Sequence, residues 1–304
     1  MNGIINIYKE AGYTSHDVVA RLRGILKQKK IGHTGTLDPD ATGVLPVCLG
    51  KATKLCDMLT DENKTYETVL HLGITTDTQD LSGAVLKTRE VFVKEQEAAA
   101  CIDTFIGDYM QVPPMYSALK INGKKLYELA REGKTVERKA RPVHFYEIDV
   151  LHMELPRIAL RVTCSKGTYI RTLCHDIGEK LGCGACMESL VRTRVGRFTA
   201  DKSFTLAQME RMAAEGTVEQ AVVPIDVMFE QYPSVQVAQP AIQRVCNGNS
   251  FSVKDLERPS GCLSDDQCVR AYDGEEMFIG IYRYDGKSQV FCLVKMFRDG
   301  SSER

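Results

Sequence analysis

The sequence predicts a large domain of mixed helices and strands, followed by a small β-rich domain. In the first 230 residues or so, apolar residues recur at helical spacing in some segments and alternate with polar residues in others. From about Pro233, short strand patterns are separated by Asp-Gly turns at 273–274 and 285–286. A chain of 304 residues with 43% hydrophobic content is long enough to form both domains.

The elements follow in order along the chain. Thr14 to Asp17 can open a helix, because apolar residues recur at helical spacing after it as far as Leu26. Residues 111–120 are extended because consecutive prolines disfavour a helix before them, and Asn122-Gly123 indicates a turn. Further helical patterns lie at 51–59, 95–105, 126–131, about 170–181 and 206–214. Strand patterns lie at 2–8, 64–73, 84–93, 143–151, 158–164, the end of 182–196, 269–272, 277–284 and 289–297.

The stretch from Gly32 to Pro46 has an unusual composition. Its three glycines and two prolines predict a shaped loop, and exclude a regular helix or a central strand. It also carries one imidazole and two carboxylates, and the apolar segment 44–49 anchors its end, which is how a scaffold presents a reactive side chain. Alternatively, Asp38 only stabilises a structural turn by hydrogen bonding to nearby amides, and composition alone favours this alternative.

Positive charge is clustered along the chain, although the net charge is only −1. Lys and Arg outnumber Asp and Glu by 8 to 5 in residues 1–60, by 8 to 3 in residues 119–144 and by 8 to 3 in residues 157–197. A nucleic-acid surface needs clustered positive charge and does not need a basic total. Solvated helix faces with uneven charge are the alternative explanation.

Several kinds of site are excluded or disfavoured. The sequence has no Walker A motif, no GxGxxG after a strand, no HExxH and no GxSxG, so a reaction without a cofactor is favoured. Cys183 and Cys186 form a CxxC motif without a second pair, so we interpret them as incidental thiols and expect no metal site. Eleven cysteines without a secretion signal, and no apolar run long enough to span a membrane, predict a cytoplasmic protein.

Four residues are candidates for chemistry. Asp38 can act as a nucleophile or base, and Arg171 can keep it ionised by charge pairing. Tyr66 and Tyr169 lie in or next to strand patterns, and a tyrosine can stack on a base that has left its helix. Each residue has an ordinary structural explanation, and it is their occurrence together with basic segments that favours a functional role.

The chain closely resembles the bacterial tRNA pseudouridine synthase B family, which converts uridine 55 in the T-loop of tRNA to pseudouridine. The resemblance covers roughly the first 230 residues, and its GHTGTLDPxATGVLP signature is highly specific. The matching segments are GHTGTLDPDATGVLPVCLGKATK (32–54), KTYETVLHLGITTDTQDLSG (64–83), VPPMYSALKINGKKLYELAREG (112–133), SKGTYIRTLCHDIGEKLGCGACMESLVRTRVGRF (165–198) and VVPID (222–226).

The resemblance implies roles for individual residues. The expected catalytic residues are Asp38, as the catalytic aspartate, with Arg171 beside it and Tyr66 stacked on the flipped uracil. The expected substrate-binding residues are His33, Lys64, Tyr66, Tyr169 and Leu190, with His33 on the displaced nucleotides and Leu190 lining the base pocket.

The resemblance also implies an α+β fold with a mixed, largely antiparallel central sheet. The expected domains are a catalytic domain at 1–231 and an RNA-binding, PUA-like domain at 232–304, with a basic insertion at about 108–145 that clamps the T-arm. Cys186 stands where members often have His, and Val191 where Arg is usual, which puts some RNA contacts in doubt.

The implied enzyme is an isomerase that needs no cofactor and no metal. Its implied partner is the T-arm of tRNA, without a guide RNA, an obligatory protein partner or a membrane, and a monomer is expected. Two alternatives remain open: a tRNA-folding chaperone without catalysis, and a glycosidase-like hydrolase in which Asp40 supplies a second carboxylate.

Overall fold

Helices and strands alternate through most of the chain in the computed structural model, which describes residues 1–121, 123–258, 261 and 263–298. The strands are β1 (Gly3–Lys9), β2 (Ile31–His33), β3 (Thr42–Leu49), β4 (Lys64–Leu72), β5 (Ile74–Thr76), β6 (Val85–Thr88), β7 (Gly107–Gln111), β8 (Lys120–Ile121), β9 (Lys124–Lys125), β10 (Arg141–Glu154), β11 (Arg157–Cys164), β12 (Ala185–Val195), β13 (Phe198–Thr199), β14 (Val222–Val223), β15 (Ser234–Gln236), β16 (Phe251–Ser252), β17 (Cys268–Tyr272), β18 (Phe278–Asp285) and β19 (Val290–Met296). The α-helices are α1 (Ser15–Ile25), α2 (Cys56–Thr60), α3 (Glu95–Asp103), α4 (Leu126–Arg131), α5 (Ile170–Lys180), α6 (Leu206–Glu215) and α7 (Gln239–Cys246).

The main sheet is mixed and largely antiparallel, as the resemblance implies. Within the described part of the chain its strands lie in the order β14-β1-β3-β12-β4-β11-β10-β7, with β13 beside β12 and β2 beside β3. The parallel pairing in this sheet joins β3 to β12, where Thr42 and Gly43 lie beside Val191 and Arg192. This junction brings the segment before β3 close to β12. The predicted α+β fold with a mixed, largely antiparallel sheet is confirmed.

The prediction that residues 32–46 contain no central strand is wrong for the end of that stretch. β3 begins at Thr42 and includes Gly43 and Pro46, although it lies between β1 and β12. Pro46 is tolerated because it lies between the part of β3 that pairs with β12 and the part that pairs with β2. Gly43 is required because its φ is +108° and a Cβ there would lie 2.2 Å from the carbonyl oxygen of Arg192.

Helices cover the sheet through two apolar clusters. α1 and α6 pack on β1 and β3, where Val18 and Leu22 of α1 are fully buried. α1 begins as the sequence predicts, since Thr14 and Asp17 form a reciprocal capping box at its N-terminus. α3 and α5 pack on β4, β10, β11 and β12 through residues such as Ile102 and Leu173. None of the helices in the described ranges is both long and apolar enough to cross a membrane.

The C-terminal part forms a second sheet, in the order β15-β17-β18-β19-β16, which confirms the small β-rich domain. It does not stand apart from the main sheet. Ile281 and Phe297 belong to the same buried cluster as Ile4, Leu59 and Phe229. The boundary between residues 231 and 232 stays a prediction.

Some element bounds differ from the sequence patterns. The predicted strand at 84–93 contains only β6, because this segment forms an exposed hairpin with β5 outside the main sheet. The strand predicted at 143–151 is longer, since β10 continues past two register shifts along β11. The Asn122-Gly123 turn cannot be compared, because Asn122 lies outside the described residues.

Candidate active site

A cavity of about 340 Å³ brings together most of the predicted site residues. The side chains predicted to act on the base line it, and these are Asp38, Lys64, Tyr66, Tyr169, Arg171 and Leu190. Residues 117–119 of the basic insertion close one side, so the insertion takes part in the cavity wall. The volume falls in the range of small-ligand sites.

The loop that carries Asp38 is held on both sides of that residue. The amide of Leu37 donates to Oγ of Ser15 at 2.9 Å, which ties the loop to the start of α1. Nζ of Lys9, which is fully buried, donates to the carbonyl oxygens of Pro39 at 2.8 Å and Ala41 at 2.6 Å. Sequence analysis did not identify Lys9. These hydrogen bonds fix the direction of the Asp38 carboxylate. The structural turn therefore also presents this side chain to the cavity.

Arg171 makes a two-pronged ion pair with Asp38. Its Nε lies 3.0 Å from Oδ2 and its Nη2 lies 3.3 Å from Oδ1. Arg171 is itself immobilised, because Nη1 donates to the carbonyl of Thr78 at 2.9 Å and Nη2 donates to that of Tyr116 at 2.8 Å. Its side chain is only 6% exposed, whereas that of Asp38 is 41% exposed. The immobilised guanidinium therefore holds the Asp38 carboxylate in place at the cavity wall.

Asp80 is a second carboxylate on Arg171, and sequence analysis did not single it out. Its Oδ2 lies 3.4 Å from Nη1 of Arg171, and its Oδ1 accepts from Oγ1 of Thr78 at 2.7 Å and from the amide of Ser82 at 3.1 Å. In the sequence, Asp80 is only one carboxylate in the turn-rich loop 75–83. The fold shows that this loop reaches Arg171.

The pKa of the Asp38 carboxyl is raised above its usual value. Burial is the main cause, Arg171 opposes it, and the nearby charge of Asp80 adds to it. The expectation that Arg171 favours ionisation of Asp38 gives the correct direction for that one contribution. Burial of the carboxyl outweighs it.

Tyr66, Lys64, Leu190 and Arg192 form the wall built by β4 and β12. Tyr66 and Arg192 are direct partners across the two strands, and Leu190 is 9% exposed beside them. Arg192 was not predicted as a site residue. It is 1% exposed, and its Nε donates to the carbonyl of Val44 at 2.7 Å, which links this wall to β3.

Tyr169 is positioned by Gln111, another residue that the sequence did not reveal. The amide of Tyr169 donates to Oε1 of Gln111 at 2.8 Å, and Nε2 of Gln111 donates back to the carbonyl of Tyr169 at 3.0 Å. Gln111 is 1% exposed at the end of β7. The glutamine fixes the backbone just before α5, which carries Arg171.

His33 is outside the lining of the cavity. Its ring meets that of His16 edge to face, with 5.1 Å between ring centroids, and its Nδ1 is buried without a hydrogen-bond partner among the described residues. Burial, with His16 as a smaller cause, lowers the pKa of His33. Its predicted role is contact with nucleotides next to the base, and that role stays a prediction.

The CxxC thiols, Cys183 and Cys186, are buried and do not line the cavity. Burial raises the pKa of Cys183 above its usual value and that of Cys186 to about 11, so both thiols are protonated at neutral pH. Within the described residues, no group of three or more His, Cys, Asp or Glu side chains is arranged to hold a metal ion.

Comparisons with known proteins match nearly the whole chain. Residues 23–170 match the model of the TruB family pseudouridylate synthase N-terminal domain, and residues 171–230 match that of the tRNA pseudouridylate synthase B C-terminal domain. A relative from Lachnoclostridium phytofermentans, named tRNA pseudouridine synthase B, is 52% identical over 98% of this chain and 100% of its own length. The chain belongs to the TruB family of pseudouridylate synthases. A relative of the same name from Clostridium kluyveri is 45% identical over 98% of this chain and 100% of its own length.

Solved structures agree with the TruB assignment. The "Structure of H/ACA RNP bound to a substrate RNA containing 2'-deoxyuridine" gives a TM-score of 0.71 at 26% identity, and covers 99% of this chain and 87% of that one. The "Crystal Structure of a Cbf5-Nop10-Gar1 Complex" gives 0.72 at 28% identity, and covers 98% and 85%. This TruB family member therefore shares its fold with a chain of each of these two complexes.

Proposed function

We propose that this chain isomerises uridine 55 in the T-loop of tRNA to pseudouridine. The observation that carries the proposal is the cavity in which the Asp38 carboxylate, held by Arg171, faces Tyr66 and Leu190. A carboxylate, an aromatic ring and an apolar side chain suit a ribose and a flipped pyrimidine. The family assignment and the relatives named tRNA pseudouridine synthase B support the choice of tRNA as substrate.

The reaction exchanges one bond of the ribose for another. The N1–C1′ bond breaks, the uracil turns, a C5–C1′ bond forms, the C5 proton leaves and N1 gains a proton. Atoms and electrons balance without a redox step, so the residues of the cavity are sufficient for the proposed chemistry. Asp38 attacks C1′, stabilises its positive character or removes a sugar proton, and in each case it acts as the carboxylate.

Base flipping places the uridine in this cavity. Unstacking the base costs a few kcal/mol, and stacking on Tyr66 offsets part of that cost. The basic insertion at about 108–145 clamps the T-arm, and the other basic segments bind phosphates, which position the RNA without reading its sequence. His33 contacts the nucleotides next to the flipped base.

The C-terminal domain makes a modest contribution to RNA affinity in this proposal, since residues 232–304 carry 9 basic and 10 acidic side chains and so have no excess of positive charge. Deleting residues after 231 tests this through the salt dependence of tRNA binding. Because the deletion also exposes the cluster around Phe229, the melting temperature must be measured with it. A large loss of affinity with a smaller salt slope, in a protein that stays folded, contradicts a modest role.

The hydrolase alternative loses support from the position of Asp40. That residue is exposed and is absent from the cavity lining, so it is not placed to act with Asp38 on one glycosidic bond. Asp80 is engaged with Arg171, Thr78 and Ser82. We therefore propose an isomerase and not a hydrolase.

We also propose that the enzyme acts on tRNA as a monomer in the cytoplasm, without a guide RNA.

The test uses purified protein and an unmodified tRNA transcript. We expect pseudouridine at position 55 and no free uracil, measured by position-specific mapping and by chromatography of the released base. A matched transcript with cytidine at position 55 should stay unmodified. Pseudouridine at other positions contradicts the proposed site, and release of uracil supports the hydrolase. Refolding of tRNA without any modified uridine supports the chaperone.

A further inference from the structure

Lys64 and Arg192 are buried cations that line the cavity, and neither pairs with a carboxylate of the described residues. Lys64 is 5% exposed and Arg192 is 1% exposed. Nζ of Lys64 donates to the carbonyls of Thr60 and Glu62, both at 2.6 Å, and Nε of Arg192 donates to that of Val44. Within the described part of the chain, no carboxylate oxygen lies within 4.0 Å of either cationic group.

This arrangement differs from the usual state of buried charges, which are paired. Carbonyl oxygens satisfy some donors but do not cancel a net charge. Asp61 and Glu62 raise the pKa of Lys64, yet burial and the charge of Arg192 outweigh them and lower it to about 8. The protein therefore holds uncompensated positive charge against the cavity, and a ligand with negative charge is its natural complement.

The extruded base is the part of the RNA that can reach this charge. Arg192 is the cross-strand partner of Tyr66, the residue proposed to stack on the uracil, and it is almost fully buried. RNA phosphates stay at the exposed rim of the cavity, because they belong to the continuous backbone. Uracil is neutral when it enters, but it carries a negative charge once its glycosidic bond is broken.

We propose that Arg192, together with Lys64, stabilises the uracil anion that forms when the N1–C1′ bond breaks. The inference rests on the proposed function. The electron pair of that bond leaves with the uracil, where it is spread over N1, O2 and O4, and an electron pair of the base then forms the C5–C1′ bond. The step is the same whether Asp38 attacks C1′ or removes a sugar proton. Fixed charge in a site that excludes water is an effective way to stabilise such an anion.

The experiment compares two bases as leaving groups in a T-arm stem-loop. Fluorine at C5 withdraws electrons, so 5-fluorouracil leaves more easily than uracil and needs less stabilisation. We expect Arg192→Gln to slow single-turnover conversion of uridine by ~100-fold, and that of 5-fluorouridine by only ~10-fold, with unchanged stem-loop affinity. Conversion of 5-fluorouridine is followed as loss of the parent nucleoside after nuclease digestion, because C5 then has no proton to lose.

Two further variants separate charge from packing. Arg192→Lys keeps the charge but not the contact geometry with Val44, so it should recover most of the rate with uridine. Lys64→Gln should show the same dependence on the leaving group without touching β3. The inference is overturned, and the proposed function is not, if Arg192→Gln slows the conversion of both bases equally. It is also overturned if Arg192→Lys and Arg192→Gln are equally slow, or if thermal melting shows that both are unfolded. A wild-type protein that leaves both bases unchanged overturns the proposed function as well.

Discussion

The two walls of the cavity treat charge in opposite ways. In the ion-paired wall, formed by Asp38, Asp80 and Arg171, each charge has a partner within 3.4 Å. In the cationic wall, formed by Lys64, Tyr66 and Arg192, the positive charges contact carbonyl oxygens and, for Arg192, the Tyr66 hydroxyl, and no carboxylate of the described residues pairs with them. Paired charges hold side chains in place and leave little net charge, whereas unpaired charges interact electrostatically with a bound ligand. In the proposed function, one wall positions the carboxylate and the other acts on the base.

Breaking the ion-paired wall at its centre should have the largest effect of the substitutions around Asp38. Arg171→Met removes the partner of both carboxylates, so Asp38 loses the charged group that orients it. Single-turnover pseudouridine formation should fall by ~10³-fold, since removing one electrostatic contact of an active site typically slows the reaction by about 10²- to 10³-fold. Arg171→Lys is the control: it restores charge without the planar fork, so its rate should lie between those of the wild type and the Met variant. A Met variant with wild-type rate would show that the pair is not needed for chemistry.

Removing the outer carboxylate should weaken the same wall less. Asp80→Asn takes away one contact of Arg171, and the rate at neutral pH should fall ~10- to 100-fold, the size of a hydrogen bond to a charged group.

The same variant should move the pH profile. The wild-type rate should fall as pH drops through the raised pKa of Asp38, because only the carboxylate acts, and the midpoint should exceed that of an ordinary Asp. Asp80→Asn removes a like charge, so the midpoint should move to lower pH, whereas Asp40→Asn should move it less. A midpoint that shifts to higher pH in Asp80→Asn contradicts this account.

Gly43 packs against the backbone of Arg192 in the cationic wall, and substitution there should affect stability. Gly43→Ala places a Cβ 2.2 Å from the carbonyl oxygen of Arg192 at a positive φ, which should destabilise the fold by ~2–4 kcal/mol in urea unfolding. Gly12 is the matched control: its φ is also positive, at +85°, but no atom lies within 4 Å of the added Cβ. Gly12→Ala should therefore cost only ~1 kcal/mol. Equal losses in the two variants would mean that the close approach of β3 and β12 is unimportant.

Asp40 should give the smallest effect, which sharpens the contrast with Asp38 two residues earlier. Its side chain is exposed and does not line the cavity, so Asp40→Asn should change the rate less than about twofold, as expected for a surface substitution. Measured beside Asp38→Asn with the same stem-loop, it is a control for the loss of a carboxylate in this loop. A large loss of rate would return Asp40 to a catalytic role.

The site residues that the sequence predicts are those whose signal is local. Asp38 lies in a distinctive motif, and Tyr169 and Arg171 belong to one short segment at the start of α5. Residues such as Arg192 and Gln111 were missed because their roles come from strand register and from contacts between distant segments. Local composition does not indicate which distant residues become neighbours in the fold.

The same reason explains the error at β3. Glycine and proline disfavour a central strand on average, but this strand changes partners along its length, and the proline lies at the change. The alternating and helical patterns elsewhere were sufficient, because burial on one face is a local property of the sequence.

The most direct test of the account is the conversion of a T-arm stem-loop by Asp38→Asn. The substitution keeps the shape of the side chain and removes its charge, so pseudouridine formation should fall by ~10⁴-fold or more, as when a catalytic group is removed. Stem-loop affinity and melting temperature should stay close to those of the wild type. Pseudouridine formation at the wild-type rate by this variant would contradict the assignment of Asp38 as the catalytic carboxylate.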